Sequence, residues 1–180
     1  MLVDTLLQRF RLKAIAPYLK DDDFVLDIGT GDGGFFIYFK NVKGVGIDPQ
    51  PKIILDKKSV TIEKGTFPGL KLKETNFDAL IMLAVLEHIP EEELNLVSEE
   101  CRSLLKINGL ILITVPSKKV DLILRILKKI KLVEAETLYQ HYGFDVNKVE
   151  ALFNTSHFKL LVKRKFQLGL NNLFVFKKIA

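Results

Sequence analysis

A chain of 180 residues with one cysteine can bury roughly 70% of its unfolded surface, and it cannot be a disulfide scaffold. Its formal net charge of +5 rests on lysine, with five arginines among 27 basic residues, whereas nucleic-acid surfaces favour the arginine fork; a solvated lysine surface is the plainer reading. The longest uninterrupted apolar run, Ala79 to Leu86, is too short to span a bilayer, and the N-terminus has no apolar signal core, so one cytoplasmic domain over residues 1–180 is expected.

Leu2 to Leu19 reads as an amphipathic helix with apolar residues at Leu2, Leu6, Phe10, Ile15 and Leu19, and Arg9, Arg11 and Lys13 between them. That stripe is expected to pack on a sheet. Lys20 to Asp23 turn into a first strand, in which Phe24, Val25, Leu26 and Ile28 are apolar, as a buried parallel strand requires, and Asp27 falls at the carboxyl end. Gly29, Gly31 and Gly33 follow at alternate positions, free to take positive φ and to bring backbone close to a ligand. Gly33 to Lys40 is a crossover helix, and a second strand, Lys43 to Asp48, then lies beside the first. Asp48 ends it 21 residues after Asp27, where an acid can accept both hydroxyls of a ribose.

Pro49 to Lys58 is a short helix with proline in its first turn, and Val60 to Glu63 a third strand. Phe77 to Val85 is a near-continuous apolar strand, expected on the other side of the first, so that Leu83 lies opposite Asp48 across the point where strand order reverses. Pro90 and Glu91 to Glu93 start a helix that keeps its spacing through Leu94, Val97, Cys101, Leu104 and Leu105 until Asn108-Gly109. Cys101 sits among those apolar positions and reads as a core residue. Leu110 to Val115 is the fifth strand, ending at Pro116-Ser117.

Lys118 to Val133 carries an apolar face and a lysine-rich face. A helix packed on the sheet is favoured over one that touches a membrane surface. Glu134 to Phe144 is polar, with Tyr139, His141 and Tyr142. Asp145 caps a helix to about Asn154, and Phe158 to Leu168 with Asn172 to Lys177 form a closing hairpin. His88, His141 and His157 are too scattered to form a metal site.

The series Asp27-x-Gly29-x-Gly31-x-Gly33, then Asp48, then Phe77-Asp78 opening a run that ends Leu86-Glu87-His88-Ile89-Pro90, resembles the class I S-adenosylmethionine-dependent methyltransferases, most closely their small-molecule, type 11-like branch. Gly29-x-Gly31-x-x-Gly34 also fits the dinucleotide fingerprint, which is weak alone. The acid before the glycines, the Leu-Glu-His-Ile-Pro segment and the short chain favour the methyltransferase. The resemblance implies an α/β, doubly wound, Rossmann-like seven-stranded sheet, mostly parallel, in the order 3-2-1-4-5-7-6 with an antiparallel C-terminal hairpin. It also implies S-adenosyl-L-methionine as cofactor. Gly29, Gly31 and Gly33 would pass under its methionine part with Asp27 near the ammonium through water or backbone, Asp48 would hold the ribose, Thr66, Phe67 and Leu83 would surround the adenine, and Thr30 and Pro49 would also touch the cofactor. Thr66 stands where the family usually has an acid. The N-terminal helix, with Tyr18, would cover the cofactor, and residues 118–144 would lie over the acceptor pocket.

His88, directly after the fourth strand, and His141, in the covering connection, are the candidate catalytic groups, since imidazole can take a proton near neutral pH. The expected reaction is methyl transfer to a small apolar or aromatic acceptor at oxygen or carbon. Two readings remain beside it: a regulatory or interaction module keeping the fold, and a protein or nucleic-acid methyltransferase. The intact glycines and Asp48 speak against the first. Against the second stands Leu-Glu-His-Ile-Pro where an Asn/Asp-Pro-Pro-aromatic tetrapeptide would fall.

Overall fold

The computed structural model describes residues 2–52, 57–117, 144–153 and 156–180, with side chains from Thr5 onward. The helix expected over 118–133, the connection bearing Tyr139, His141 and Tyr142, and residues 53–56 of the helix expected over 49–58 lie outside the described residues, and the described residues 49–52 are not helical.

Seven strands form one sheet in the order β3-β2-β1-β4-β5-β7-β6. They are β1 (Phe24–Ile28), β2 (Lys43–Asp48), β3 (Val60–Lys64), β4 (Phe77–Leu83), β5 (Leu105–Pro116), β6 (Phe158–Phe166) and β7 (Asn171–Lys178). The first five run parallel, and β7 is antiparallel to both β5 and β6. β1 is flanked on both edges and covered on both faces, which is why Val25, Leu26 and Ile28 are all buried in a strand with no polar alternation. The chain crosses from β3 to β4 over β1, so the carboxyl ends of β1, β2 and β4 surround a switch point.

Strand parity sorts the core into two layers. Leu26, Ile28, Leu80, Met82, Ile113, Phe174 and Phe176 face α3 (Leu94–Leu104) and α4 (Asn147–Phe153). On the opposite face Val25, Ala79, Ile81, Leu112, Leu173 and Val175 meet α1 (Leu2–Ile15) and α2 (Gly34–Tyr38). Cys101 is fully buried, and burial pushes its thiol up, as a packing residue should show. Among the described residues no helix is long and apolar enough to cross a membrane.

The seven-stranded order is as the resemblance implies and the closing hairpin as the sequence reads, but several local readings change. The first helix ends at Ile15, four residues early, where a 3-10 turn over Ala16–Tyr18 carries Pro17. Its expected packing stripe holds only at its end: Leu6 is 53% and Phe10 44% exposed, while Ile15 of that stripe is buried together with Leu12, which lay outside it, each contributing about 1.5–3 kcal/mol. Arg164 of β6 fixes this orientation by donating from Nη2 to the Ala14 carbonyl at 3.0 Å, where α1 has carbonyls to spare. β4 stops at Leu83 because Ala84 turns into the left-handed region (φ 60°), donating its N–H to the Thr114 carbonyl at 2.8 Å.

β5 begins at Leu105, with no loop after α3, and Asn108-Gly109 is an irregularity inside the strand rather than the helix stop. Asn108 takes φ 67°, and pairing shifts between Phe77–Leu105 and Ala79–Leu110. A Cβ on Gly109 would lie 3.0 Å from the Asp78 carbonyl and 2.8 Å from the Leu105 side chain, so the close approach of β4 needs glycine there. Lastly, α2 is one and a half turns, shorter than the expected 33–40 span.

Candidate functional site

The site grows from the turn after β1. Gly29, Gly31 and Gly33 all take positive φ, at 76°, 55° and 74°. Gly29 and Thr30 donate their N–H groups to the Ile47 carbonyl at 2.8 and 3.0 Å, which ties the turn to the end of β2. Gly31 is held twice more: its N–H donates to Asp48 Oδ2 at 2.9 Å, and its carbonyl accepts from the Lys52 N–H at 3.0 Å. The other Asp48 oxygen accepts from the Gln50 N–H at 2.8 Å. Each carboxylate oxygen has a second lone pair, so Asp48 keeps capacity for two further donors.

Asp32 accepts from the Gly34 N–H at 3.0 Å and from Gln8 Nε2 at 3.4 Å, joining the start of α2 to α1. Asp27, 4% exposed at the end of β1, differs from both. Burial pushes its carboxyl up to about 7; the Thr30 hydroxyl opposes that, while the charges of Asp48 and Asp32 add to it.

These residues line a cavity of about 690 Å³ at the carboxyl end of the sheet. Its walls include Asp27, Gly29, Thr30, Gly31, Asp48, Pro49 and Leu83, seven of the positions singled out in the sequence. Gly33, Thr66, Phe67 and His88 are not among them. Gly33 is set back as the N-cap of α2, Thr66 is exposed, and Phe67 is spent in the core. His88 ends an exposed corner, the 3-10 turn Leu86–His88, of which Leu86 and Glu87 are the buried part. Tyr18 packs on the core and does not reach the cavity. His141 lies outside the described residues.

Sequence reasoning missed Thr5, Gln8 and Arg11 of α1, and Asp32, Gln50 and Lys52, all of which line the cavity. The α1 residues share a face with Leu12 and Ile15 at helical spacing. The polar half of that face covers the cavity and the apolar half covers the core. Asp32 and Lys52 are interleaved with the glycines and the Pro49 turn, a signal that was in view.

The donor set suits S-adenosyl-L-methionine. Three carboxylates and two cations, Arg11 and Lys52, converge on one cavity, matching a ligand with a sulfonium, an ammonium and a carboxylate. An added Cβ on Gly31 would meet nothing within 4 Å, so that backbone faces open cavity.

The comparisons with known proteins agree. A family model described as a methyltransferase domain matches residues 3–167. No curated protein sequence matches significantly. Among solved structures, the PH0226 protein of Pyrococcus horikoshii OT3 is similar with a TM-score of 0.72 at 20% identity, over 95% of this chain and 91% of that one. A SAM-dependent methyltransferase from Methanosarcina mazei gives 0.68 at 19%, over 93% and 97%. The Burkholderia thailandensis 1,6-didemethyltoxoflavin-N1-methyltransferase, solved with 1,6-didemethyltoxoflavin and S-adenosylhomocysteine, gives 0.72 at 16%, over 97% and 79%. Fold and site thus define a Rossmann-like methyltransferase, and the chain belongs to the methyltransferase-domain family. It is an enzyme of methyl transfer whose cofactor is S-adenosyl-L-methionine.

Proposed function

We propose that residues 1–180 form one cytoplasmic methyltransferase domain that methylates a small molecule, at oxygen or carbon of a largely apolar or aromatic acceptor. The observation that carries the reading is the convergence of Asp27, the glycine turn and Asp48 on one cavity at the switch point. When bound, the cofactor supplies an activated methyl group on a sulfonium. The protein's own part is positioning and the exclusion of water.

Asp48 receives the ribose hydroxyls on the lone pairs left free by Gly31 and Gln50. Asp27, close to half-protonated at neutral pH, accepts the methionine ammonium and gives up its proton as it does so. Thr30 and the backbone at Gly29 and Gly31 support the methionine part, Pro49 the ribose, and Leu83 the wall between cofactor and acceptor. Thr66 and Phe67 reach the adenine only through a rearrangement of the 65–68 loop, and Gly33 acts through the start of α2. His88 and His141 are the groups to test for proton transfer, which is needed only where the acceptor loses a proton on attack.

Calorimetric titration tests the reading. S-adenosylmethionine and S-adenosylhomocysteine should bind, and NAD much more weakly; equal or tighter NAD binding overturns it, and binding of both S-adenosyl ligands without turnover on any acceptor favours the regulatory module.

A further inference from the structure

Leu83 is the outermost strand residue to line the cavity; beyond it the same sheet face continues onto β5 and β7, outside the cavity lining, and there it becomes polar. Leu83 pairs in register with Thr114, Thr114 with Leu173, and Pro116 with Asn171. By strand parity Leu83, Thr114 and Asn171 all point to the α1 face, the face of Asp27, and Thr114 and Asn171 are diagonal neighbours with centres about 7–8 Å apart. Thr114 is 0% and Asn171 2% exposed, yet among the described residues Thr114 Oγ1 and Asn171 Oδ1 have no hydrogen-bond partner. Buried side-chain polar atoms are nearly always paired, because an unpaired one forfeits its hydration without return.

Asn171 is not simply mispacked. Its Nδ2 donates to Gln167 Oε1, an amide-to-amide bond that leaves Asn171 Oδ1 as an acceptor and Gln167 Nε2 as a donor, both unpaired among the described residues. Turning both amides over gives the same outcome, one donor and one acceptor side by side. Gln167 is held there by a tight β6–β7 turn in which Gln167, Leu168 and Gly169 take φ of 51°, 55° and 83°. The turn is braced by the Ser117 N–H donating to the Leu170 carbonyl at 2.8 Å.

We propose that the Asn171–Gln167 amide pair, with the Thr114 hydroxyl, is a specificity element for the acceptor, and that the acceptor carries a lactam- or amide-like edge, an N–H beside a C=O, on an otherwise flat apolar body. This rests on the methyltransferase reading above and narrows its acceptor class. An amide edge satisfies both free positions of the pair at once, and Thr114 serves a further polar atom nearer Leu83. A purely hydrocarbon acceptor would leave all of these groups buried and unpaired.

The test uses the full chain saturated with S-adenosylhomocysteine, with binding of two flat probes of similar size followed by calorimetry or ligand-observed NMR: 2-quinolone, which has the lactam edge, and 2-methylnaphthalene, which lacks it. The wild type is expected to prefer 2-quinolone by about tenfold or more, the worth of two modest hydrogen bonds. Asn171→Leu and Gln167→Leu should erase the preference while S-adenosylhomocysteine affinity stays unchanged. Thr114→Val, which keeps the side-chain shape and so guards against a folding failure in the other two, should weaken 2-quinolone several-fold. It should also raise the melting temperature of the ligand-free protein by a few degrees, because it removes an unpaired buried hydroxyl.

Failure of S-adenosylhomocysteine to bind at all would strike the methyltransferase reading itself. With S-adenosylhomocysteine bound, equal binding of the two probes, no binding of 2-quinolone, a preference untouched by the amide variants, or a lower melting temperature for Thr114→Val each overturns the specificity element alone.

Discussion

Asp48 Oδ2 accepts the N–H of Gly31 at 2.9 Å, so the residue expected to hold the ribose also holds the glycine turn under the cofactor. The two elements of the cofactor site are therefore one mechanical unit, spliced between β1 and β2. Asp48→Ala should weaken S-adenosylhomocysteine by about 1.5–3 kcal/mol, roughly 10- to 150-fold, for loss of bonds to a charged acceptor. Asp48→Asn should lose less, because its remaining oxygen still accepts from one backbone N–H. Calorimetry on both variants checks the order, and Asn weaker than Ala would separate ribose binding from the clamp.

Gly31 and Gly29 should respond differently to the same substitution. A side chain at Gly31 points into open cavity from a backbone at φ 55°, so Gly31→Val should fold with a strain cost of about 1–3 kcal/mol and lose cofactor binding. At Gly29 a Cβ would sit 2.6 Å from Val85 Cγ2, so Gly29→Val should lose more stability through the collision. Thermal melting alongside titration reads both effects. A Gly31→Val protein with unchanged affinity would place the cofactor elsewhere.

Asp27 makes binding pH-dependent. Its folded carboxyl is raised to about 7 from an ordinary value of 3.8, with burial the main cause, so the folded state binds the extra proton between those limits. The stability from this group is full below about pH 4 and is lost as pH rises through 7, a change of up to about 4 kcal/mol. A bound ammonium needs the carboxylate, so affinity for S-adenosylhomocysteine should rise by up to about tenfold per pH unit below 7 and level off above it. In Asp27→Asn both trends should disappear. Titrations and melts from pH 5.5 to 8.5 provide the check, and a wild-type affinity that falls with pH would refute the assignment.

What could be read from the sequence depended on whether burial alone explains a position. The parallel strands were legible because a strand covered on both faces must be apolar throughout, and the glycine turn because positive φ and open backbone select glycine. The α1 face was not legible. Thr5, Gln8 and Arg11 look like a solvent stripe and Leu6 and Phe10 like a core stripe, because a sequence cannot tell a polar cavity from bulk water. The start of β5 was hidden by exposed Lys106, Ile107 and Asn108, which carry no strand alternation. Thr114, Gln167 and Asn171 come together only through the β5–β7 register and the Asn171–Gln167 amide bond.

His88 gives the sharpest test of a catalytic role read from position alone. It directly follows Glu87 in the turn after β4, yet its side chain is exposed and it does not line the cavity that holds Asp27, Asp48 and Leu83. A general base contributes about 10²- to 10⁴-fold to turnover and has to reach the proton it removes. From the present geometry, His88→Ala should bind S-adenosylhomocysteine within about twofold of wild type and turn over within about threefold, which is the scale of an exposed substitution. Turnover should also keep the wild-type pH profile. A loss of about 10²-fold or more with binding intact, together with loss of an ionisation near the ordinary histidine range, would instead show that the corner at residues 86–88 moves over the cofactor during the reaction and that His88 is its base.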